Sequence, residues 1–291
     1  MKKAINKFNA RQSMETNGFE IYWYNAPYNK EIELHHHDFY EIYFFIKGDV
    51  KYIIEDRIYN LLPGDILLIS PWELHQPRFS LPKDAYERIV IWVNKHYLYS
   101  NSTMHTDLSR CFYKNRDSHT NLLRLDPLLK EYLNEILEKL LNEINNKSYG
   151  SDVASQCYFL ELIIEINRLA KLPQQRHELK DKSTSIISSV LSHINEYYYE
   201  ELSLELLSNK FFISKYYLSH EFKRLVGTSV YRYIIQKRLQ IAKVLLEELQ
   251  PTDVYKKCGF GDYANFYRGF KSQYGISPKD YKKLNSKKPK Y

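Results

Sequence analysis

Four side chains with the donor types of a transition-metal ligand set stand within the first 75 residues: His35, His37, Glu41 and His75. Alternate side chains of an extended strand share a face. In His35-His36-His37-Asp38-Phe39-Tyr40-Glu41 the odd positions therefore point one way and His36 the other. Imidazole nitrogen with carboxylate oxygen suits a divalent transition ion. The same groups can instead line a chamber and hydrogen-bond a small polar ligand. They can also simply satisfy one another and the nearby backbone. Spacing leaves all three readings open.

A second set of residues forms a repeat. Phe222-Lys223-x-x-x-Gly227-x-Ser229-x-x-x-Tyr233 returns 48 positions later as Phe270-Lys271-x-x-x-Gly275-x-Ser277-x-x-x-Tyr281. Upstream the register continues, pairing Phe212 with Phe260, Leu218 with Phe266 and His220 with Arg268. A shared offset over so many residues means one supersecondary unit used twice, and two copies are too few for a solenoid. In the first copy Leu204, Leu207 and Phe211 mark a short helix, and Phe212-Ile213-Ser214 is a turn ending on an N-cap serine. The following helix runs to Val226, with Gly227 as its left-handed cap.

Leu218, Phe222 and Leu225 recur at helical spacing and face inward, leaving Tyr216, Ser219, His220 and Lys223 outside. In the second copy Val254 and Cys258 mark the short helix, and Gly259-Phe260-Gly261-Asp262 is the turn. Phe266, Phe270 and Tyr274 face inward. Tyr263, Ala264, Asn265, Tyr267, Arg268 and Lys271 stay outside. Such a pair of short helices is a helix-turn-helix, whose second helix enters a major groove. Asn pairs well with adenine and Arg with guanine, so Asn265 and Arg268 are the best base readers. A long helix over 230–249 joins the copies.

Elements must hold both sets in place. Runs rich in Tyr, Ile, Phe and Val over residues 19–94 read as short strands (Phe19–Tyr24, Phe39–Ile46, Lys51–Ile54, Asp65–Ile69, Arg88–Val93). Gly48, Pro63-Gly64, Pro71 and Leu81-Pro82 punctuate them, and a sandwich or barrel is expected. After Asp126-Pro127 the period becomes helical, with Leu129, Leu133, Ile136, Leu137, Leu140 and Ile144 on one stripe. A second helix spans 151–170 through Phe159, Leu162, Ile163, Ile166 and Leu169. These stripes either pack on their own sheet or form a dimer seam. Residues 171–184 read as a linker.

The chain has 291 residues and a net charge of +7. Residues 1–182 hold 24 Lys+Arg against 25 Asp+Glu, and residues 183–291 hold 18 against 10. The excess lies where the repeat lies, which points to a polyanion partner for the second half. Three dispersed cysteines, Cys111, Cys157 and Cys258, give neither a metal spacing nor a disulfide framework. The charged start Met1–Lys7 lacks the apolar stretch of a signal peptide, and no apolar run reaches the ~20 residues of a membrane span.

Residues 185–291 resemble the DNA-binding region of the AraC family of bacterial transcription regulators. The resemblance is carried by Tyr217-Leu218-Ser219-His220-Glu221-Phe222-Lys223, Gly227-Thr228-Ser229, Arg238-Leu239-Gln240-Ile241-Ala242, Gly259-Phe260-Gly261-Asp262 and Tyr274-Gly275-Ile276-Ser277-Pro278. It implies two units entering consecutive major grooves, with base-facing places at Tyr216, Ser219, His220, Tyr263, Ala264, Asn265 and Arg268. Two features depart from the family: Tyr255 stands where a small residue is usual, and the connection at Leu249-Gln250-Pro251 is about two residues short. The His-x-His-x-x-x-Glu run, Gly48, Pro63-Gly64-Asp65 and His75 resemble the cupin barrel, whose enzymatic members use these four positions as metal ligands.

The expected architecture is α+β: a cupin-like barrel with helices over 1–170, a linker, and an all-α DNA-binding domain over 185–291. The expected protein is a cytoplasmic, homodimeric, non-catalytic regulator of promoter DNA. Its small-molecule effector, a sugar among the candidates, would be held by His35, His37, Glu41, His75, Trp23, Trp72, Arg78 and Arg88. No cofactor is required. The alternative is a divalent transition metal at His35, His37, Glu41 and His75, in a metal-dependent cupin isomerase or oxygenase with a DNA-binding tail.

Overall fold

Strand alternation builds the N-terminal half. The computed structural model describes residues 13–27, 32–79, 85–113, 120–172 and 182–285, so the charged N-terminus, the Leu81-Pro82 turn and most of the expected linker lie outside the described residues. The strands are β1 (Phe19–Pro27), β2 (Tyr40–Lys47), β3 (Val50–Ile54), β4 (Arg57–Asn60), β5 (Ile66–Ile69), β6 (His75–Phe79), β7 (Ala85–Val93) and β8 (Leu122–Leu123). They form a five-stranded sheet, β1-β7-β2-β5-β8, and a three-stranded sheet, β4-β3-β6, antiparallel throughout.

β6 was not among the strands expected from sequence because Pro77 interrupts it. β3 is its only partner among the named strands, so at Pro77 it is an edge strand, where a missing N–H is tolerated.

Between the sheets lies an aromatic core: Phe39, Tyr43 and Phe45 with Tyr52, Tyr59, Tyr86 and Trp92. Intervening residues of the larger sheet (Ile42, Phe44, Ile66, Leu68, Ile89, Ile91, Val93) face a second core under the helices. Both faces of that sheet are covered, which explains why β5 is wholly apolar.

After α1 (Lys95–Asn101), α2 (Pro127–Asn146) starts at Asp126, whose carboxylate accepts from the N–H groups of Leu128 and Leu129. α3 (Ser151–Leu169) packs beside it. Leu133, Ile136, Leu137 and Leu140, with Phe159, Leu162, Ile163 and Ile166, are spent on their own sheet. The stripes are therefore core and not a dimer seam.

The second half comprises α4 (Lys182–Tyr197), α5 (Leu204–Lys210), α6 (Lys215–Val226), α7 (Val230–Leu245), α8 (Pro251–Lys257), α9 (Tyr263–Tyr274) and α10 (Pro278–Asn285). α6 and α9 keep the 48-residue offset at both ends. Ser214 and Asp262 cap their starts, and Gly227 and Gly275, both at positive φ, cap their ends.

Two expectations need correction. α7 stops at Leu245, where the sequence suggested 249. Phe212 and Phe260 are not equivalent either. Phe212 has φ 54° and is 95% exposed, whereas Phe260 is buried. The positive-φ residue of the second turn is Gly259, so that turn holds one more residue than the first. Tyr255 packs edge-on against Tyr263 at 5.7 Å and supports the start of α9.

Candidate functional site

The segment 34–37 bridges β6 and the helical half. His35 and His75 exchange backbone hydrogen bonds (3.2 and 2.9 Å), and Trp72 N donates to His37 O at 2.8 Å. Alternation then sends His35 and His37 to one side and Leu34 and His36 to the other.

On the inner side His37, Glu41 and His75 bring one ligand atom each within 4.8 Å of one another, all buried. Nδ1 of His37 lies 2.9 Å from Phe39 O, and Nδ1 of His75 lies 2.8 Å from Glu73 O. A carbonyl only accepts, so each ring carries a proton on Nδ1. Nε2 of His37 is 3.1 Å from Glu41 Oε2, which also accepts from Trp92 Nε1 at 3.1 Å. Nε2 of His75 is fully buried with no hydrogen-bond partner among the described residues.

His35, expected as a fourth member, packs its ring at a tilt 4.2 Å from that of His75 and lies outside the converging three. Burial, and after it the neighbouring side chains, holds His35, His36 and His75 well below the usual imidazole range.

The other expected effector residues scatter. Trp23 sits on the helix-covered face of the large sheet, its Nε1 donating to Glu87. Trp72, at φ 70°, lies under Lys243 of α7, and Arg78 reaches the carbonyl of Arg224 on α6. Both belong to the contact with the helical half. Of these four only Arg88 enters the space between the sheets, against the rings of Tyr24 and Tyr86. A cleft lined by Phe44, Asp65, Lys130 and Leu137 opens on the helix-covered face of the large sheet and shares no residue with the His–Glu group.

The outer side of segment 34–37 meets the helical half directly, which spacing could not foresee. Leu34, Ile53, Ile58 and Leu74 form one core with α4, α6 and α7. Gln236 donates to Leu34 O, and His36 Nε2 lies 2.9 Å from the Tyr274 hydroxyl on α9.

At the centre stands Glu55 in the β3–β4 turn. Its φ of 53° costs a non-glycine residue roughly 1–2 kcal/mol. That backbone sets the buried carboxylate between Leu74 N (3.0 Å), Gln240 Nε2 (3.2 Å) and Lys237 Nζ (2.7 Å). A glutamate in a polar turn gives no sequence signal for such a role.

The outward residues of α6 and α9 are open to solvent. Tyr216, Ser219, His220, Lys223, Tyr263, Ala264, Asn265, Arg268 and Lys271 are all exposed. Asp262 binds Asn265, and Asn265 Oδ1 accepts from Arg268 Nη2 at 2.7 Å, so the two best base readers start hydrogen-bonded to each other.

Comparison with known proteins separates the halves in the same way. Residues 20–163 match the family model of an AraC-like ligand binding domain, and residues 207–284 match that of a helix-turn-helix domain. The HTH-type transcriptional activator RhaS of Escherichia coli O81 (strain ED1a) is 20% identical over 252 residues, covering 84% of this chain and 86% of RhaS. RhaS of E. coli O139:H28 (strain E24377A / ETEC) is 22% identical over 269 residues with the same coverage. Among solved structures, the C-terminal domain of the response regulator yesN from Fusobacterium nucleatum is 36% identical over 32% of this chain and 94% of its own, with a TM-score of 0.31.

Proposed function

The chain belongs to the AraC family of transcription regulators, and on that premise we propose that a small molecule entering the barrel resets how the DNA-binding half is held. One observation carries this reading: segment 34–37 turns His35 and His37 into the barrel and Leu34 and His36 onto the helical half. A ligand that prefers one arrangement of the inner side chains biases the outer contacts by the same free energy. The two helix-turn-helix units take promoter DNA in successive major grooves. Tyr216, Ser219 and His220 face bases from α6, and Tyr263, Ala264, Asn265 and Arg268 from α9. Lys223 and Lys271 contact phosphate.

The protein works as a homodimer in the cytoplasm. Leu128 (79% exposed) and Val153 (60% exposed) on the outer surfaces of α2 and α3 support an interface there, and three cysteines that form no disulfide among the described residues suit a reducing compartment. The relatives named as transcriptional activators support positive control.

Footprinting the full chain on the DNA upstream of its own coding region is the test. Protection over two adjacent helical turns is expected. Arg268→Ala should cost on the order of 1–3 kcal/mol at one base position and leave the others unchanged. An unprotected promoter removes the reading.

A further inference from the structure

We propose that the ligand of the barrel is a small monocarboxylate whose acid group is taken by the guanidinium of Arg88. The inference rests on the reading of the barrel as the ligand chamber and supplies the class of ligand. Strand alternation puts Arg88 on the same face of β7 as Tyr86, Val90 and Trp92, between the sheets. Its partners across the two ladders are Tyr24 on β1 and Phe45 on β2. The guanidinium carbon lies 4.2 Å from the centroid of the Tyr24 ring and 4.4 Å from that of Tyr86. Two ring faces attract the charge but give its five N–H donors no acceptor oxygen. Among the described residues the partly buried Arg88 has neither an ion pair nor a hydrogen bond.

No carboxylate of the described residues supplies the counter-charge. Glu41 faces the same space but lies opposite Trp92, four residues along β2 from Phe45. Four residues of strand are roughly 13 Å. Glu41 Oε2 is also engaged by His37 and by Trp92 Nε1. Glu87 points to the opposite face, where it accepts from Trp23 Nε1 at 2.8 Å and Asn25 Nδ2 at 3.1 Å. A guanidinium drawn away from water without a counter-ion is costly, and a carboxylate offers two oxygens that match its fork.

The charge count sets the class. One carboxylate neutralises one guanidinium, a phosphate monoester brings up to two negative charges, and a neutral sugar brings none. The surroundings suit an oxygen-bearing anion. The hydroxyls of Tyr43 and Tyr86 bond to each other, and Tyr43 meets Tyr52 edge-on at 5.0 Å. The hydroxyls of Tyr24 and Tyr52 bond to no described residue. Burial holds the Tyr43 and Tyr52 phenols well above their usual range, so they stay protonated and donate to a ligand oxygen.

The test uses tag-free full-length protein in chloride buffer at constant ionic strength, with sodium acetate as the probe. Calorimetry and thermal denaturation read the binding. Acetate should saturate one site per chain with a dissociation constant of about a millimolar, the reach of a four-atom ligand. Acetamide, which keeps the shape and lacks the charge, should bind at least about tenfold more weakly, and so should inorganic phosphate. Arg88→Met should abolish acetate binding, and Arg88→Lys, which keeps the charge without the fork, should weaken it about tenfold. Arg110→Met, on the exposed surface, should bind as the wild type does. Circular dichroism shows whether each variant folds. In the wild-type chain the Arg88 Nε resonance should shift and saturate with the same constant, without any substitution.

No saturation at about a hundred times that concentration overturns the proposal, as does acetate binding that survives in Arg88→Met. Acetamide or phosphate binding as tightly as acetate removes the monocarboxylate. Footprinting of the same preparations keeps the two readings apart. Promoter protection without acetate binding removes the carboxylate and leaves the regulator. Acetate binding without protection does the reverse.

Discussion

Lys237→Met should loosen the contact between the barrel and α7. Lys237 Nζ lies 2.7 Å from Glu55 Oε2, and the two side chains are 9% and 5% exposed. Removing the ammonium strands a buried carboxylate with two neutral donors, Leu74 N–H and the Gln240 amide. Breaking a buried pair on one side costs about 3–5 kcal/mol. Here the interface can part and let water reach Glu55, so the lower end of that range, about 3 kcal/mol, is the expected loss.

Hydrogen exchange on the full chain reads this locally. At 1.4 kcal/mol per tenfold, the Leu74 amide and its neighbours in β6 should exchange roughly a hundredfold faster. The strands β1 and β7, on the far sheet, should not change. Adding Glu55→Gln removes the stranded charge, so the double variant should recover about 2 kcal/mol relative to Lys237→Met alone. Single-variant effects that simply add, or a Leu74 amide that does not accelerate, would refute a charge-paired clasp.

Gly227→Ala tests the other close approach. A Cβ there would lie 2.6 Å from Arg78 Nη1 and Gln76 Nε2 at φ +75°, whereas Gly150, at φ +80°, has nothing within 4 Å. Gly150→Ala should cost about 1–2 kcal/mol for the backbone alone, and Gly227→Ala about the same, because the atoms in the way are the ends of two flexible side chains; a much larger thermal shift for Gly227→Ala would show that Arg78 and Gln76 are held in place. Thiol labelling at pH 8 should modify Cys157 quickly and spare Cys111 and Cys258 until the chain unfolds. Burial pushes the Cys258 thiol up to about 12, leaving about one thiolate in ten thousand at that pH. A fast-reacting Cys258 in the folded chain would contradict the packing around α8.

Much of the helical half was legible because its signals are local. Caps at Asp126, Ser214 and Asp262, and left-handed glycines at 227 and 275, are set by neighbours a few residues away. Helical spacing of apolar residues assigns Leu218, Phe222, Phe266 and Phe270 to the core, and all four are fully buried. The error at Phe212 and Phe260 arose because a one-residue insertion in the second turn leaves α5 and α8 47 residues apart while α6 and α9 stay 48 apart. The candidate site was legible as a set and not as a place. Strand alternation grouped His37 with Glu41, but the aromatics expected to line the chamber had no such constraint, because both faces of each sheet are buried and either could have been the interior.

The sequence alone determined a duplicated DNA-reading unit, a strand-rich N-terminal half and a face shared by His35, His37 and Glu41, since each depends on periods of two or 3.6 residues along one segment. Only the tertiary structure decided what those faces meet. It brought His75 to His37 from 38 residues away, set Trp72 and Arg78 against the helical half, and gave Glu55 to Lys237 across 182 residues. Contacts of that range depend on how whole layers pack, and no local period encodes them.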